Sequence, residues 1–160
     1  MRLGLISAGI VLLLDQLSKY WILSVYDLPT KVSVEILPFF SLTMVWNKGI
    51  SLGLFQAGSD VARWALIVIT VLVTVFLLFW LAKASGVVLK TALGLVIGGA
   101  VGNIIDRVHL GAVADFVHLH GFGYSFYVFN VADAAITVGV SLLLLDAYLL
   151  SRDESKKSKE

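Results

Sequence analysis

The sequence predicts an all-α membrane protein: four transmembrane helices with a small outer-surface β-sheet between helices 1 and 2. Three observations carry this prediction. The 160 residues are 59% hydrophobic and only 14% charged, with a strongly positive mean hydropathy; a soluble domain of this size has too little interior to hide so much apolar surface. Four segments reach the roughly 20 residues needed to cross a hydrocarbon layer: 3–24, 61–82, 87–105 and 130–150. Between the first two, residues 26–60 abandon the helical pattern for a period of two.

Taken in order, the first segment has the charged start and apolar run of a signal peptide. It lacks a small-residue cleavage site, and its helical pattern continues through polar residues to about Ser24, so it reads as an uncleaved span. Residues 26–60 are too long for a plain connector and hold both prolines, Pro29 and Pro38. Val32, Val34 and Ile36 alternate with Ser33 and Glu35; Leu42, Met44 and Trp46 alternate with Ser41 and Thr43. That pattern predicts strands, and Asn47-Lys48-Gly49 supplies a turn. The second span is uncharged from Trp64 to Ala82. The third carries Gly94, Gly98 and Gly102 at four-residue spacing, a small-residue face that admits a neighbouring backbone. Residues 106–129 form a second outer connection, with "HGFG" at 120–123 as a turn between two apolar-aromatic arms. The tail from 152 to 160 is a charge run, expected to be disordered. A single membrane-embedded domain spanning 1–160 is expected.

An even number of spans puts both termini on one side. Arg2, Lys83, Lys90, Arg152, Lys156, Lys157 and Lys159 fall on that side, against Lys31, Lys48 and Arg107 on the other. The positive-inside rule therefore predicts cytoplasmic termini. A net charge of +1 argues against nucleic acid as a partner, and the absence of cysteine excludes disulfides, thiolate metal sites and thiol nucleophiles.

On this topology the ionisable residues collect at one depth. Asp15, Gln16 and Lys19 lie in the outer half of the first helix. Asn103, Asp106 and Arg107 lie at the outer end of the third, with Asp115 just beyond, and Asn130 and Asp133 open the fourth. Ionisable groups within spans are costly and mark function. Each also has a plainer reading. Asp15 and Lys19, four apart on one helix face, suit a structural ion pair as well as a direct role. Asp106 and Arg107 suit loop anchors. Asn130 suits an N-cap, with Asp133 in the first turn where the helix dipole favours a carboxylate. Asp146 lies near the inner end and has no assigned role. His118 and His120 share a strand face, but with His109 they form no zinc motif, and no metal site is expected.

What remains is a pair of aspartates on separate elements at a wet–dry boundary. Two neighbouring carboxylates share one proton, which supplies a base and an acid together, as peptide hydrolysis requires. No serine stands in a G-x-S-x-G setting. A small proton-coupled transporter is the competing class, yet such folds carry internal repeats and midplane polar groups. A structural membrane subunit, the third class, leaves the outer β segment and the two aspartates without a purpose. The only repeat visible is Val-Ala-Asp at 113–115 and 131–133, whose valines and alanines are read as coincidence.

Four blocks, "DQLSK" at 15–19, "NKGISLG" at 47–53, "GGAVGNIIDRVHLGAVADF" at 98–116 and "FNVADAAI" at 129–136, occur in one order along nearly the whole chain. In them the chain resembles the prolipoprotein (type II) signal peptidases of bacterial membranes. The first two blocks are weakly specific and the last two together highly so. The resemblance implies an intramembrane aspartyl endopeptidase of the inner membrane, with four spans and an outer β-cradle. It implies cleavage of the signal peptide just before a diacylglyceryl-modified lipobox cysteine. Asp115 and Asp133 match the catalytic positions. Asp15, Lys19, Asn47, Gly49, Asn103, Asp106, Arg107, Asn130 and Ala132 match positions that shape or support the site, with Asn47 and Arg107 contacting substrate. Ser51 and Leu52 depart from the alanine and aromatic more usual there, which bears on substrate preference and not on the aspartates. The expected partners are the lipid-modified prolipoprotein and membrane phospholipid, with a monomeric enzyme, an active site near the outer leaflet and no cofactor.

Overall fold

The computed structural model describes residues 1–49 and 60–157, with side chains described through residue 149. Four helices are long and apolar enough to cross a membrane: Arg2–Val25, Asp60–Lys83, Val87–His109 and Val131–Leu149. The first comprises α1 (Arg2–Tyr20) and a π-helical turn, Trp21–Val25, that ends it. A four-residue helix follows, α2 (Leu28–Lys31), with Pro29 in its first turn, where its missing N–H costs nothing. The remaining helices are α3 (Asp60–Lys83), α4 (Val87–His109) and α5 (Val131–Lys157). α5 continues through residues 152–157, where a disordered tail was expected. Its lysines and acids are compatible with helix once a preceding span has supplied the nucleus.

α4 lies at the centre, packed against α1, α3 and α5. Its glycine face is the reason. A Cβ at Gly94 would collide with the backbone carbonyl of Gly4, and one at Gly102 with the carboxylate of Asp15. The four-residue spacing thus seats α1 directly on α4, as small residues do between helices in lipid. Leu77 and Leu81 of α3 pack on Leu93, Val96 and Ile97 of α4, with Ala8 of α1 against the same cluster. α3 and α5 keep many large apolar side chains exposed, Phe76, Phe79, Leu144 and Tyr148 among them, as lipid-facing helices should.

The sheet is antiparallel, ordered β1 (Ser33–Leu37), β2 (Phe40–Asn47), β3 (Val113–Gly121) and β4 (Tyr124–Ser125). The expected strands of the first outer connection are present. The sheet also recruits the second connection, whose two arms become β3 and β4 around the Gly121–Tyr124 turn. Sequence pattern predicts strands locally, but the pairing of β2 with β3 joins residues about seventy apart.

A bulge in β2 decides which way its end faces. Leu42 pairs with Val117 and Val45 with Asp115, so three steps along β2 answer two along β3. Strict alternation places Asn47 with Ser41 and Thr43. The extra residue turns Asn47 to the face of Asp115 instead, the re-aiming for which bulges near functional sites are known.

Candidate active site

Asp15, Lys19, Asn47, Asn103, Asp106, Arg107, Asp115, Asn130 and Asp133 converge at one end of the helix bundle. The N-terminal end of α5 shows why. Asn130 caps it, accepting the Asp133 N–H through Oδ1 at 2.9 Å, which satisfies one of the donors a helix start leaves open. The same side chain donates through Nδ2 to Asp115 Oδ1 at 2.6 Å. One amide therefore holds the backbone of one aspartate and the carboxylate of the other. Asn103, from α4, donates to Asp133 Oδ1 at 2.8 Å. Asn47 donates to Asp115 Oδ2 at 3.0 Å and accepts the Gly49 N–H at 3.1 Å. The Oδ1 atoms of Asn130 and Asn47 accept backbone N–H groups, so their amide nitrogens are left to face the carboxyl oxygens.

Beneath this pair lies a second polar layer. Lys19, 3% exposed, donates to Asp15 Oδ2 and pairs with Asp106 Oδ2, both at 2.8 Å, and donates to Asn103 Oδ1 at 3.3 Å. Its three donors meet three acceptors. Both acids also hold backbone. Asp15 Oδ1 accepts the N–H of Ala132 at 3.0 Å, and Asp106 Oδ2 accepts the N–H of Ala114 at 3.1 Å. Each acid thereby fixes the residue just before Asp133 or Asp115. Both alanines are 0% exposed; a larger side chain has no room. The repeated Val-Ala-Asp, read as coincidence in its alanines, instead marks two equivalent anchor points.

Gln16 belongs to this layer and carried no assigned role in sequence. Its Nε2 donates to Asp15 Oδ2 at 3.1 Å and Asp106 Oδ1 at 3.2 Å. The available signal was a polar residue inside a lipid-spanning helix, beside an acid. Arg107 donates to the carbonyls of Asn103 at 3.3 Å and Gly49 at 3.2 Å. Its Nε is buried and has no partner among the described residues. Ile50 to Gly53 of the "NKGISLG" block, with Ser51 and Leu52, lie outside the described residues. His118 and His120 do share a strand face, with ring centroids 5.1 Å apart. Their nitrogens bond the hydroxyls of Ser125, Thr43 and Ser41.

Asp115 is 1% exposed. Burial pushes its carboxyl up to about 7, the negative charge of Asp133 adds to the rise, and the hydrogen bonds from Asn47 and Asn130 oppose it. A carboxyl raised this far keeps its proton near neutrality, at a cost to the ionised form of roughly 4 kcal/mol. The site is thus built from two carboxylates held by amides, a nearby guanidinium and a rigid ionic layer underneath. Such a set has the chemistry to activate water and to bind carbonyls.

Comparison with known proteins finds relatives over most of the chain. A family described as signal peptidase (SPase) II matches residues 7–149. The lipoprotein signal peptidase of Methylobacterium sp. (strain 4-46) is 50% identical over 144 residues, covering 90% of this chain and 87% of that protein. The lipoprotein signal peptidase of Beijerinckia indica is 46% identical over 146 residues, covering 91% and 87%. A bacterial membrane enzyme solved by the in meso method at 2.3 Å resolution superposes with a TM-score of 0.82 at 30% identity, covering 100% of this chain and 94% of that one. With four membrane-spanning helices and a family match over most of its length, the chain belongs to the signal peptidase II family.

Proposed function

We propose that this protein is an aspartyl endopeptidase of the bacterial inner membrane that removes the signal peptide from diacylglyceryl-modified prolipoproteins. The observation that carries the reading is the shared amide: Asn130 binds the Asp115 carboxylate and the Asp133 backbone at once, so the two acids are set as a pair. Two bases, Lys19 and Arg107, face four acids, Asp15, Asp106, Asp115 and Asp133. With every acid ionised, two negative charges stay uncompensated, and one shared proton halves that excess.

In the proposed reaction the ionised member of the pair takes a proton from water as the water oxygen bonds to the scissile carbonyl carbon. The protonated member gives its proton to the carbonyl oxygen, leaving a neutral tetrahedral diol. The C–N bond then breaks, with a proton passing to the departing nitrogen of the lipidated cysteine. The acid and base roles belong to the pair as a unit. Arg107, with an uncommitted buried N–H, and Asn47 suit the binding of substrate carbonyls, while Asp15, Lys19, Asn103, Asp106 and Ala132 act by holding the pair in place. Gly49 serves through its backbone.

The excess of basic residues around both termini supports cytoplasmic ends, although Arg63 at the start of α3 adds to the opposite side. The aspartates then lie near the outer leaflet, where diacylglyceryl chains stay in lipid while the scissile bond meets water. One membrane-embedded domain acting as a monomer suffices, since every group invoked comes from a single chain. Neither metal nor organic cofactor is required. The test is replacement of Asp115 or Asp133 by asparagine, with precursor processing followed in membranes. Uncut lipid-modified precursor should accumulate in either variant; normal processing by a well-expressed Asp133→Asn protein overturns the reading.

A further inference from the structure

Two buried side-chain N–H groups have no acceptor among the described residues, and both belong to arginines: Nε of Arg107 and Nε of Arg63. A charged donor buried without a partner is costly enough that each case calls for an explanation. Arg107 has one in the binding of a substrate carbonyl. Arg63 has no part in the reaction proposed above. It is nonetheless firmly held. Its side chain is 29% exposed, and Nη2 pairs with Asp60 Oδ1 at 3.1 Å, one turn earlier on α3. The guanidinium carbon lies 5.6 Å from the centre of the Trp64 ring. Nη1 reaches the connection between α4 and β3, where a Cβ on Gly111 would stand 3.1 Å from it. Gly111 has φ of 77°, a left-handed state that favours glycine, so conformation and contact both call for a bare residue. The guanidinium is thereby fixed at the entry to β3 with one donor to spare.

The location says what the spare donor faces. Gly111 stands four residues after Arg107 and four before Asp115, so Arg63 meets the chain midway between a substrate-binding guanidinium and one of the aspartates. Four residues of extended chain span about 13 Å at most. Trp64, next to Arg63 and half-exposed, is of the type that collects at the level of lipid headgroups. Asp60 already offsets the Arg63 charge, so the free N–H suits a neutral oxygen better than an anion.

We infer that Arg63 Nε donates to an ester carbonyl of the diacylglyceryl group on the substrate cysteine, which makes Arg63 a residue that selects lipid-modified precursor. The inference rests on the diacylglyceryl reading given above and deepens it. The thioether-linked glyceryl arm between the cysteine and its ester carbonyls is comparable in length to the stretch from Asp115 back to Gly111. With the scissile bond at the aspartates, an ester carbonyl therefore comes level with Arg63. Cleavage changes no bond of that ester, so the contact serves recognition and leaves the chemistry to the pair. A donor already stripped of water and held in place gains most from an acceptor that arrives, because its desolvation and ordering are met in folding. A precursor without the ester gives up that gain.

The test uses two synthetic precursors, one with an S-diacylglyceryl cysteine and one with its dialkyl ether counterpart, equal in chain length but lacking the carbonyls. Full-length protein in maltoside micelles, which supply no lipid ester, is given each in turn and kcat/KM is compared. The unaltered protein should prefer the ester about tenfold or more, as a hydrogen bond to a charged group allows. Arg63→Met should bring that preference close to one, through loss on the ester. Gly111→Ala, which displaces the guanidinium, should lower it as well. The preference is a ratio within one protein, so a variant that folds poorly still reports it. Equal cleavage of ester and ether by the unaltered protein overturns the inference. So does an Arg63→Met variant that keeps the preference, even one slower on both, because Arg63 then serves structure alone. An unaltered protein that cuts an unlipidated precursor and neither lipidated one overturns the diacylglyceryl reading itself, a result distinct from equal cleavage of the two.

Discussion

Asp15 Oδ1 accepts the backbone N–H of Ala132 at 3.0 Å, tying the first membrane helix to the residue that precedes Asp133. Asp106 holds Ala114 before Asp115 in the same way, and Lys19 bridges the two acids. The spacing of the aspartate pair is therefore set by one buried cation acting through two carboxylates and two peptide N–H groups. None of these groups has to touch substrate.

Removing that cation leaves two buried carboxylates facing each other. Lys19→Met should lower stability by about 3–5 kcal/mol, the usual penalty for breaking a buried pair from one side. Thermal unfolding in detergent measures it. A loss under 1 kcal/mol contradicts the bridging role.

Gly102→Ala places a methyl group on the Asp15 carboxylate. Overpacking of this kind costs about 1–3 kcal/mol, and here it also pushes α1 off α4. Activity should fall at least tenfold, whereas Gly9→Ala, on the same α1 but with open space around it, should be silent in both activity and melting temperature.

The geometry predicts an alkaline limb in the pH profile. Burial and the Asp133 charge raise Asp115 to about 7, so the pair keeps its shared proton below that pH and loses it above. Cleavage should decline as pH rises through about 7. Asn130→Ala removes a hydrogen bond that lowers Asp115, so any residual activity should show its alkaline limb at higher pH. Asp133→Asn removes a charge that raises Asp115, so infrared titration of the carboxyl band should find it lower than in the unaltered protein.

Metal removal tests the histidines. Cleavage should survive prolonged treatment with strong chelators unchanged. Loss of activity that zinc restores returns His118 and His120 to consideration as ligands.

Much of this was legible in the sequence because lipid makes polarity conspicuous. Asp15, Lys19, Asn103, Asp106 and Asp133 stand out in apolar spans, and their agreement in depth follows from counting helices. The small-residue face of α4 was legible from spacing alone. The role of Ala114 and Ala132 was not, since an alanine shows nothing of what its peptide N–H bonds. Nor was the turning of Asn47 toward Asp115, which depends on a bulge opposite a strand some seventy residues away. The sequence pattern reads Asn47 as the start of a turn, whereas it is the last residue of β2. The continuation of α5 past residue 151 was hidden by a composition that suits either helix or disordered tail.

The central claim is that Asp115 and Asp133 act as one unit. Single-turnover cleavage of a lipidated precursor by Asp115→Asn, Asp133→Asn and the double variant, each checked for an unaltered melting transition, tests it most directly. Each single replacement should slow cleavage by about three orders of magnitude or more, with the double variant no slower than the singles, because groups that act together are non-additive. A folded single variant that cleaves within tenfold of the unaltered protein, or losses that multiply in the double variant, contradicts the claim.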